Sequence, residues 1–219
     1  MLSFSQEKLV RSLHRKKSRQ ESGLCLVEGQ KIIDMAGDLV DWTFTSQDTE
    51  IFEKLVTTDS PQGIAAVARA PKWTREDVES QKTIVVLDGV QDPGNVGAIL
   101  RLCLGFDASL LLIESADVTS PKVIRSSAGA MFKVPWMTVP RVDAVEVIES
   151  YQRPIYKLES GGDPKSSQIS EIGMLILGSE GNGIKLEIDG SSVTIQHSEE
   201  LESLNVGHAL AIILAQSKT

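Results

Sequence analysis

Thr83-Ile84-Val85-Val86-Leu87 runs directly into Asp88-Gly89-Val90-Gln91-Asp92-Pro93-Gly94-Asn95. The first five residues are an apolar, mostly β-branched run too short for a helix. It is bounded by residues that turn, so it reads as a strand buried on both faces. The polar, glycine-bearing stretch after it sits where a strand hands over to a helix. The same succession recurs downstream. Ser109–Ile113, Lys133–Val139, Pro154–Leu158, Met174–Leu177 and Ser192–Ile195 are further short apolar runs, with helical segments expected near 95–105, 121–130, 142–150 and 203–216. Strand, loop and helix in alternation predict an α/β domain with a largely parallel sheet and ligand loops at the carboxyl ends of its strands.

Upstream the rhythm differs. Residues 5–17 read as a helix with Leu9, Val10 and Leu13 along one face. Gly23–Val27, Trp42–Thr45 and Ile64–Ala68 read as strands, and Glu28–Ala36 and Ile51–Val56 as helices. Residues 70–82 are polar and poorly periodic. The expected organisation is therefore a small α/β domain over 1–70, a linker over 71–82 and a larger domain over 83–219. At 219 residues the chain is long enough for two cores.

Composition excludes several classes. Hydrophobic content of 41% and charged content of 24% are those of a globular protein, and the longest apolar runs are far too short to span a bilayer. The N-terminal charges are not followed by the apolar region of a signal peptide, which points to the cytoplasm. Cys25 and Cys103 are widely separated and lack metal-ligand spacing, so neither a metal nor a disulfide is expected. The net charge of −8 is unevenly distributed: Lys8, Arg11, Arg15, Lys16, Lys17 and Arg19 make the first twenty residues basic against an acidic remainder. Such a run is either a solvated helix face or a local hold on an RNA backbone.

Two more segments share the character of the first turn, Gly178-Ser179-Glu180-Gly181-Asn182-Gly183 and Ser203-Leu204-Asn205-Val206-Gly207-His208. Three such loops in one domain predict a site assembled at one edge of a sheet. A dinucleotide-binding oxidoreductase would share the alternation, but the turn after Leu87 lacks the GxGxxG spacing.

On these residues the chain resembles the SpoU (TrmH-like) branch of the SPOUT RNA 2′-O-ribose methyltransferases. Asp92-Pro93-Gly94-Asn95-Val96-Gly97-Ala98-Ile99-Leu100-Arg101 resembles the family's first motif, Leu177-Gly178-Ser179-Glu180-Gly181-Asn182-Gly183-Ile184 the second, and Ser203-Leu204-Asn205-Val206 the start of the third. Ser126-Ser127-Ala128-Gly129-Ala130 also matches a family feature. Leu26-Val27-Glu28-Gly29 and Pro61-Gln62-Gly63-Ile64 resemble the L30e-like substrate-binding domain common at the family's N-terminus.

The resemblance implies a trefoil knot in the parallel-sheet domain, a homodimer in which both chains contribute to each site, S-adenosylmethionine as cofactor and structured RNA as substrate, with rRNA ahead of tRNA. It implies Arg101 as the catalytic arginine, with Asn95, Ser203, Asn205 and Glu180 beside it. Taken as ordinary residues, Arg101 would be a solvated helix side chain, Asn95, Ser203 and Asn205 would be helix caps, and Glu180 a turn carboxylate. Leu177, Gly178, Gly183, Ile195 and Leu204 are implied to line the cofactor pocket. The basic run over Lys8 to Arg19 would contact RNA. An arginine stays protonated, so it suits a phosphate or a developing alkoxide better than proton removal. The acceptor of the ribose proton is either the neighbouring phosphate or a group of the site.

The chain departs from the family pattern where Ile195-Gln196-His197 stands for Ile-Pro-Met and Gly207 for a serine. Those departures motivate an alternative, an RNA-binding protein of the same fold that lacks methyl transfer. His197 and His208 have no partner in view and read as satisfied or surface histidines. Trp42, Trp73 and Trp136 read as core.

Overall fold

A computed structural model describes residues 1–163, 173–198, 200–201 and 203–216. The chain divides into two compact units, Met1–Lys72 with Asp117–Lys133, and Trp73–Ala116 with Val134–Thr219.

The first unit begins with α1 (Phe4–Ser12) and α2 (Lys16–Ser22). Ser3 caps α1 in a reciprocal capping box with Gln6, which satisfies two of the helix's orphan amides. The single helix expected over 5–17 is broken. Ser12 Oγ donates to the carbonyl of Leu9 at 2.7 Å, and Leu13 turns fully into the core. After Gly23, whose φ of +68° ends α2 in the left-handed region, come β1 (Leu24–Glu28), α3 (Gln30–Ala36), β2 (Val40–Thr45), α4 (Phe52–Leu55) and β3 (Ile64–Arg69). The strands form an antiparallel sheet of order β1-β3-β2 over a core that includes Val10, Leu13, Leu26, Phe44, Phe52 and Val67.

The second unit contributes α5 (Arg75–Glu79), β4 (Thr83–Asp88), α6 (Pro93–Gly105) and β5 (Ala108–Ile113). The chain then returns to the first unit as α7 (Pro121–Ser126), before β6 (Trp136–Thr138), α8 (Ala144–Glu149), β7 (Ile155–Asp163), β8 (Met174–Gly178), β9 (Ser191–Val193) and α9 (Val206–Gln216) complete the second. Six strands pair in parallel in the order β6-β5-β4-β8-β7-β9. β5 is buried along its whole length and β4 from Ile84 to Asp88, as their apolar sequences require. Chain order grows from β4 towards β6 and then resumes on the other side of β4, so the carboxyl ends of β4 and β8 flank a switch point where α/β sheets bind ligands.

Two elements depart from the expected organisation. Residues 117–133 pack with the first unit, although sequence alone placed them in an uninterrupted domain over 83–219. Charge holds them there. Arg125 donates to Glu28 at 3.3 Å and to Thr57 Oγ1 at 2.5 Å, while the buried Glu28 also accepts from the amides of Thr57 and Thr58. Gly129, at φ +83°, allows the close approach to α3, since a Cβ there would lie 2.7 Å from that of Met35. The stretch read as a linker over 71–82 contains α5, started by a capping box between Thr74 and Asp77. Arg75 lies 4.5 Å over the Tyr151 ring, and Arg153 donates to the carbonyls of Glu79, Gln81 and Lys82.

Arg19 corrects one expectation outright. Its side chain is 4% exposed, donates to the Leu13 carbonyl at 2.7 Å and pairs with Asp117 at 2.5 Å. It is a structural ion pair inside the first unit and offers no charge to an RNA. Lys8, Arg11, Arg15, Lys16 and Lys17 are exposed.

Two predictions follow from burial. Arg19→Ala leaves the Asp117 carboxylate without its partner and should cost about 3 kcal/mol in urea unfolding, with a native-like spectrum before the transition. Desolvation pushes the thiols of both Cys25 and Cys103 up to about 12. At about pH 8 a thiol-specific chromophore should therefore leave the folded protein unmodified and label both cysteines only after denaturation.

Candidate active site

Each of the three polar loops is shaped by its own backbone demands. Asp92 caps α6 by accepting the Asn95 amide at 2.8 Å, and Pro93 at the first helical position has no amide to satisfy. The cap is thus Asp92, and the Asn95 side chain is released for another task. At the end of β8 the chain turns sharply, with the Gly183 amide donating to the Ser179 carbonyl at 2.9 Å and Gly183 at φ +62°. A Cβ on Gly178 would overlap the carbonyl group of Gly183, so this turn closes only over glycine. Asn205 caps α9, its Oδ1 accepting from Gly207 N at 3.0 Å and His208 N at 3.3 Å.

The side chains of these loops meet. Asn95 Nδ2 donates to Glu180 Oε1 at 3.1 Å. Asn205 Nδ2 donates to the same oxygen at 2.9 Å and to Asn95 Oδ1 at 2.8 Å. The three residues close a ring of hydrogen bonds across sequence separations of 25 to 110 positions. One carboxylate oxygen accepts from two amides, a charge-assisted arrangement that fixes all three side chains. Asn205 therefore both caps its helix and completes the ring.

Beside the ring lies a cavity of about 190 Å³. All five positions expected to hold the cofactor, Leu177, Gly178, Gly183, Ile195 and Leu204, line it, as do Glu180 and Ser203. Its lining combines apolar side chains and glycine main chain with the polar Glu159, Glu180, Ser203 and His197. That donor set fits a nucleoside cofactor, with flat apolar surface for a purine and a few polar groups for its edges and sugar. Among the described residues, no group of three or more His, Cys, Asp or Glu could hold a metal ion.

Arg101 stands apart from this cluster. It is exposed on α6, six residues after Asn95 and so about 9 Å further along the helix. No hydrogen bond joins it to the ring among the described residues. Glu159 went unnoticed in the sequence; it lines the cavity and accepts from Ser192 Oγ, with Lys157 Nζ 3.8 Å away. Its position just past the apolar run Pro154–Leu158 was the available signal, and the fold places it within β7. His197 is exposed and contacts the Ser198 carbonyl at 3.0 Å, yet also forms part of the wall. Gly207 is buried, and a Cβ there would meet Asn205 Oδ1 at 3.3 Å and Ala98 Cβ at 3.6 Å.

Known proteins resemble this chain over most of its length. The model of the SpoU rRNA Methylase family matches residues 82–215. The 23S rRNA (guanosine(2553)-2′-O)-methyltransferase RlmP of Bacillus subtilis is 28% identical over 231 residues, covering 93% of this chain and 92% of that protein. A structure from Porphyromonas gingivalis assigned to the TrmH family of RNA methyltransferases superposes with a TM-score of 0.85 at 32% identity, covering 99% of this chain and 98% of that one. An AdoMet-bound rRNA methyltransferase from Sinorhizobium meliloti shares the fold with a TM-score of 0.85 at 22% identity, over 100% and 96% of the two chains. A family model spanning 82–215 of 219 residues, and a relative in structure that is 32% identical over nearly the full length, establish that the chain belongs to the SpoU rRNA methylase family, the family of S-adenosylmethionine-dependent RNA 2′-O-methyltransferases.

Proposed function

We propose that the protein transfers the methyl group of S-adenosylmethionine to a ribose 2′-hydroxyl of structured ribosomal RNA. The observation that carries this reading is the Asn95–Glu180–Asn205 ring beside a cavity whose lining includes Leu177, Gly178, Gly183, Ile195 and Leu204. When bound, the cofactor supplies a sulfonium methyl already activated for in-line displacement. The chain's own tasks are then to hold both reactants and to help the hydroxyl lose its proton.

Leu177, Ile195 and Leu204 give an apolar wall for the adenine, and the main chain of Gly178 and Gly183 approaches its edge. Glu180, held by two amides, keeps Asn95 and Asn205 in one fixed orientation at the mouth, and Ser203 adds a hydroxyl there. Arg101 grips the phosphate next to the target ribose with its planar fork and stabilises the alkoxide as it develops. Its separation from the ring supports a homodimer in which both chains contribute to each site.

The first unit acts as an L30e-like RNA-binding module. The exposed Lys8, Arg11, Arg15, Lys16 and Lys17 on α1 and at the start of α2 give it a local hold on the backbone within an acidic protein. The rRNA named in the RlmP relative supports the choice of rRNA over tRNA. Membership of the SpoU family supports a trefoil knot in the second unit. A protein of this fold without methyl transfer is not favoured, since the relatives are named as methyltransferases and the ring of polar residues is complete.

The test is transfer from labelled S-adenosylmethionine to rRNA and to tRNA separately, with nucleoside analysis. The expected product is a 2′-O-methylated nucleoside from rRNA; a base-methylated nucleoside, or label in neither RNA under conditions where the cofactor binds, refutes the proposal. Arg101→Ala should slow transfer by roughly a hundredfold or more while leaving cofactor affinity by calorimetry unchanged. Loss of cofactor binding in that folded variant would contradict the role given to Arg101.

A further inference from the structure

The loop that lines the cavity from Gly178 to Gly183 is gripped at both ends by one residue that none of the three motifs contains. Asp88 ends β4, and its side chain is entirely buried. Its backbone pairs in the sheet with Gly178, where the loop leaves β8. Its carboxylate reaches the other end: Oδ2 accepts from Lys185 N at 2.5 Å and from Leu186 N at 2.8 Å. Oδ1 accepts from Arg141 Nη2 at 2.6 Å. The carboxylate is thus buried, charged and supplied with three donors, two of them main-chain amides just past the loop.

A strand residue whose only task was packing would be apolar here, like its neighbours Val85, Val86 and Leu87. An apolar side chain would leave two amides without an acceptor and release the loop's exit. Arg141 completes the clamp from the α8 side. Its Nε donates to Glu114 Oε2 at 2.6 Å, so two carboxylates fix the guanidinium that fixes Asp88. Arg141 is 29% exposed, which makes the clamp reachable by substitution from the surface.

We propose that Asp88 is a positioning residue for the cofactor: it clamps the exit of the 178–183 loop, and thereby sets where Gly183 and Glu180 stand in the cavity wall. It touches no reactant and acts through the main chain of Lys185 and Leu186. The inference rests on the cavity being the site of S-adenosylmethionine.

The experiment measures S-adenosylmethionine affinity by calorimetry, the KM for cofactor and for RNA, and thermal stability. It compares the wild type with Asp88→Asn, Arg141→Gln, Val86→Ala and Leu204→Trp. Asp88→Asn keeps the shape but turns an amide NH2 or a neutral oxygen towards the two backbone donors. It should raise the cofactor Kd and KM together by roughly tenfold to a hundredfold, with the KM for RNA unchanged. Arg141→Gln should move both in the same direction by less. Val86→Ala destabilises the same strand and the core under the loop's exit but removes no acceptor from the Lys185 and Leu186 amides, and should leave cofactor affinity as it is.

Wild-type affinity in Asp88→Asn, or an equal loss in Val86→Ala at equal loss of stability, overturns the clamp. If Asp88→Asn does not fold, Arg141→Gln is judged by the same two criteria. Leu204→Trp fills the cavity. Wild-type cofactor affinity in that variant would instead remove the cavity assignment, and the inference with it.

Discussion

The turn that leaves β8 can close only because Gly178 has no side chain. With any Cβ there, the chain could not return across it at Gly183, and the loop carrying Glu180 would take another course. Nearly everything proposed for the site depends on that crossing. It places Glu180 within hydrogen-bond reach of Asn95 on α6 and Asn205 at the head of α9. It also leaves the main chain of Gly178 and Gly183 bare along the cavity, where a side chain would otherwise stand. Three loops distant in sequence then act as one object, because a single carboxylate oxygen satisfies two amides drawn from the other two loops.

The second physical theme is the internal use of guanidinium groups. Arg19 with Asp117, Arg125 with Glu28 and Arg141 with Asp88 each bring a cation to a carboxylate that is wholly or largely buried. Burial without such a partner would be costly, whereas each pair here is supported by further hydrogen bonds to main chain or hydroxyl. These pairs tie distant segments within each unit. Two of them fasten the 117–133 excursion to the first unit, and the third holds the segment that follows the Gly178–Gly183 turn. Charge that composition counts as surface is, at these positions, architecture.

Much of the fold could be read from the chain. The parallel sheet announced itself in the apolar runs around Val85, Leu111 and Ile176, since strands covered on both faces leave little room for polar residues. The loop residues of the site were also legible, because Asn95 and Asn205 stand at helix starts and Glu180 in a glycine-rich turn after a strand, although that turn leads to β9 and not to a helix. All the misses but one share a cause, contacts that only the folded chain brings together. Arg19 looked like one more basic residue in a basic run; that it faces inward depends on a break after Ser12 that no local propensity demanded. The excursion of 117–133 was hidden because its anchoring pairs, Arg19 with Asp117 and Arg125 with Glu28, span 98 and 97 positions. The α5 helix did carry a local signal in its Thr74-x-x-Asp77 capping box, too short to stand out from the polar stretch around it. Asp88 read as the end of a strand, and only the folded chain brings the amides of Lys185 and Leu186 to its carboxylate.

The account stands or falls on where the cofactor sits relative to the Asn95–Glu180–Asn205 ring. A crystal structure of the full chain with S-adenosylmethionine is the most direct measurement. The account predicts the adenine in the cavity against Leu177, Ile195 and Leu204, and the sulfonium end turned towards the ring. Density for the cofactor at any other place on the chain, or in the cavity with its methyl group directed away from Glu180, would contradict it.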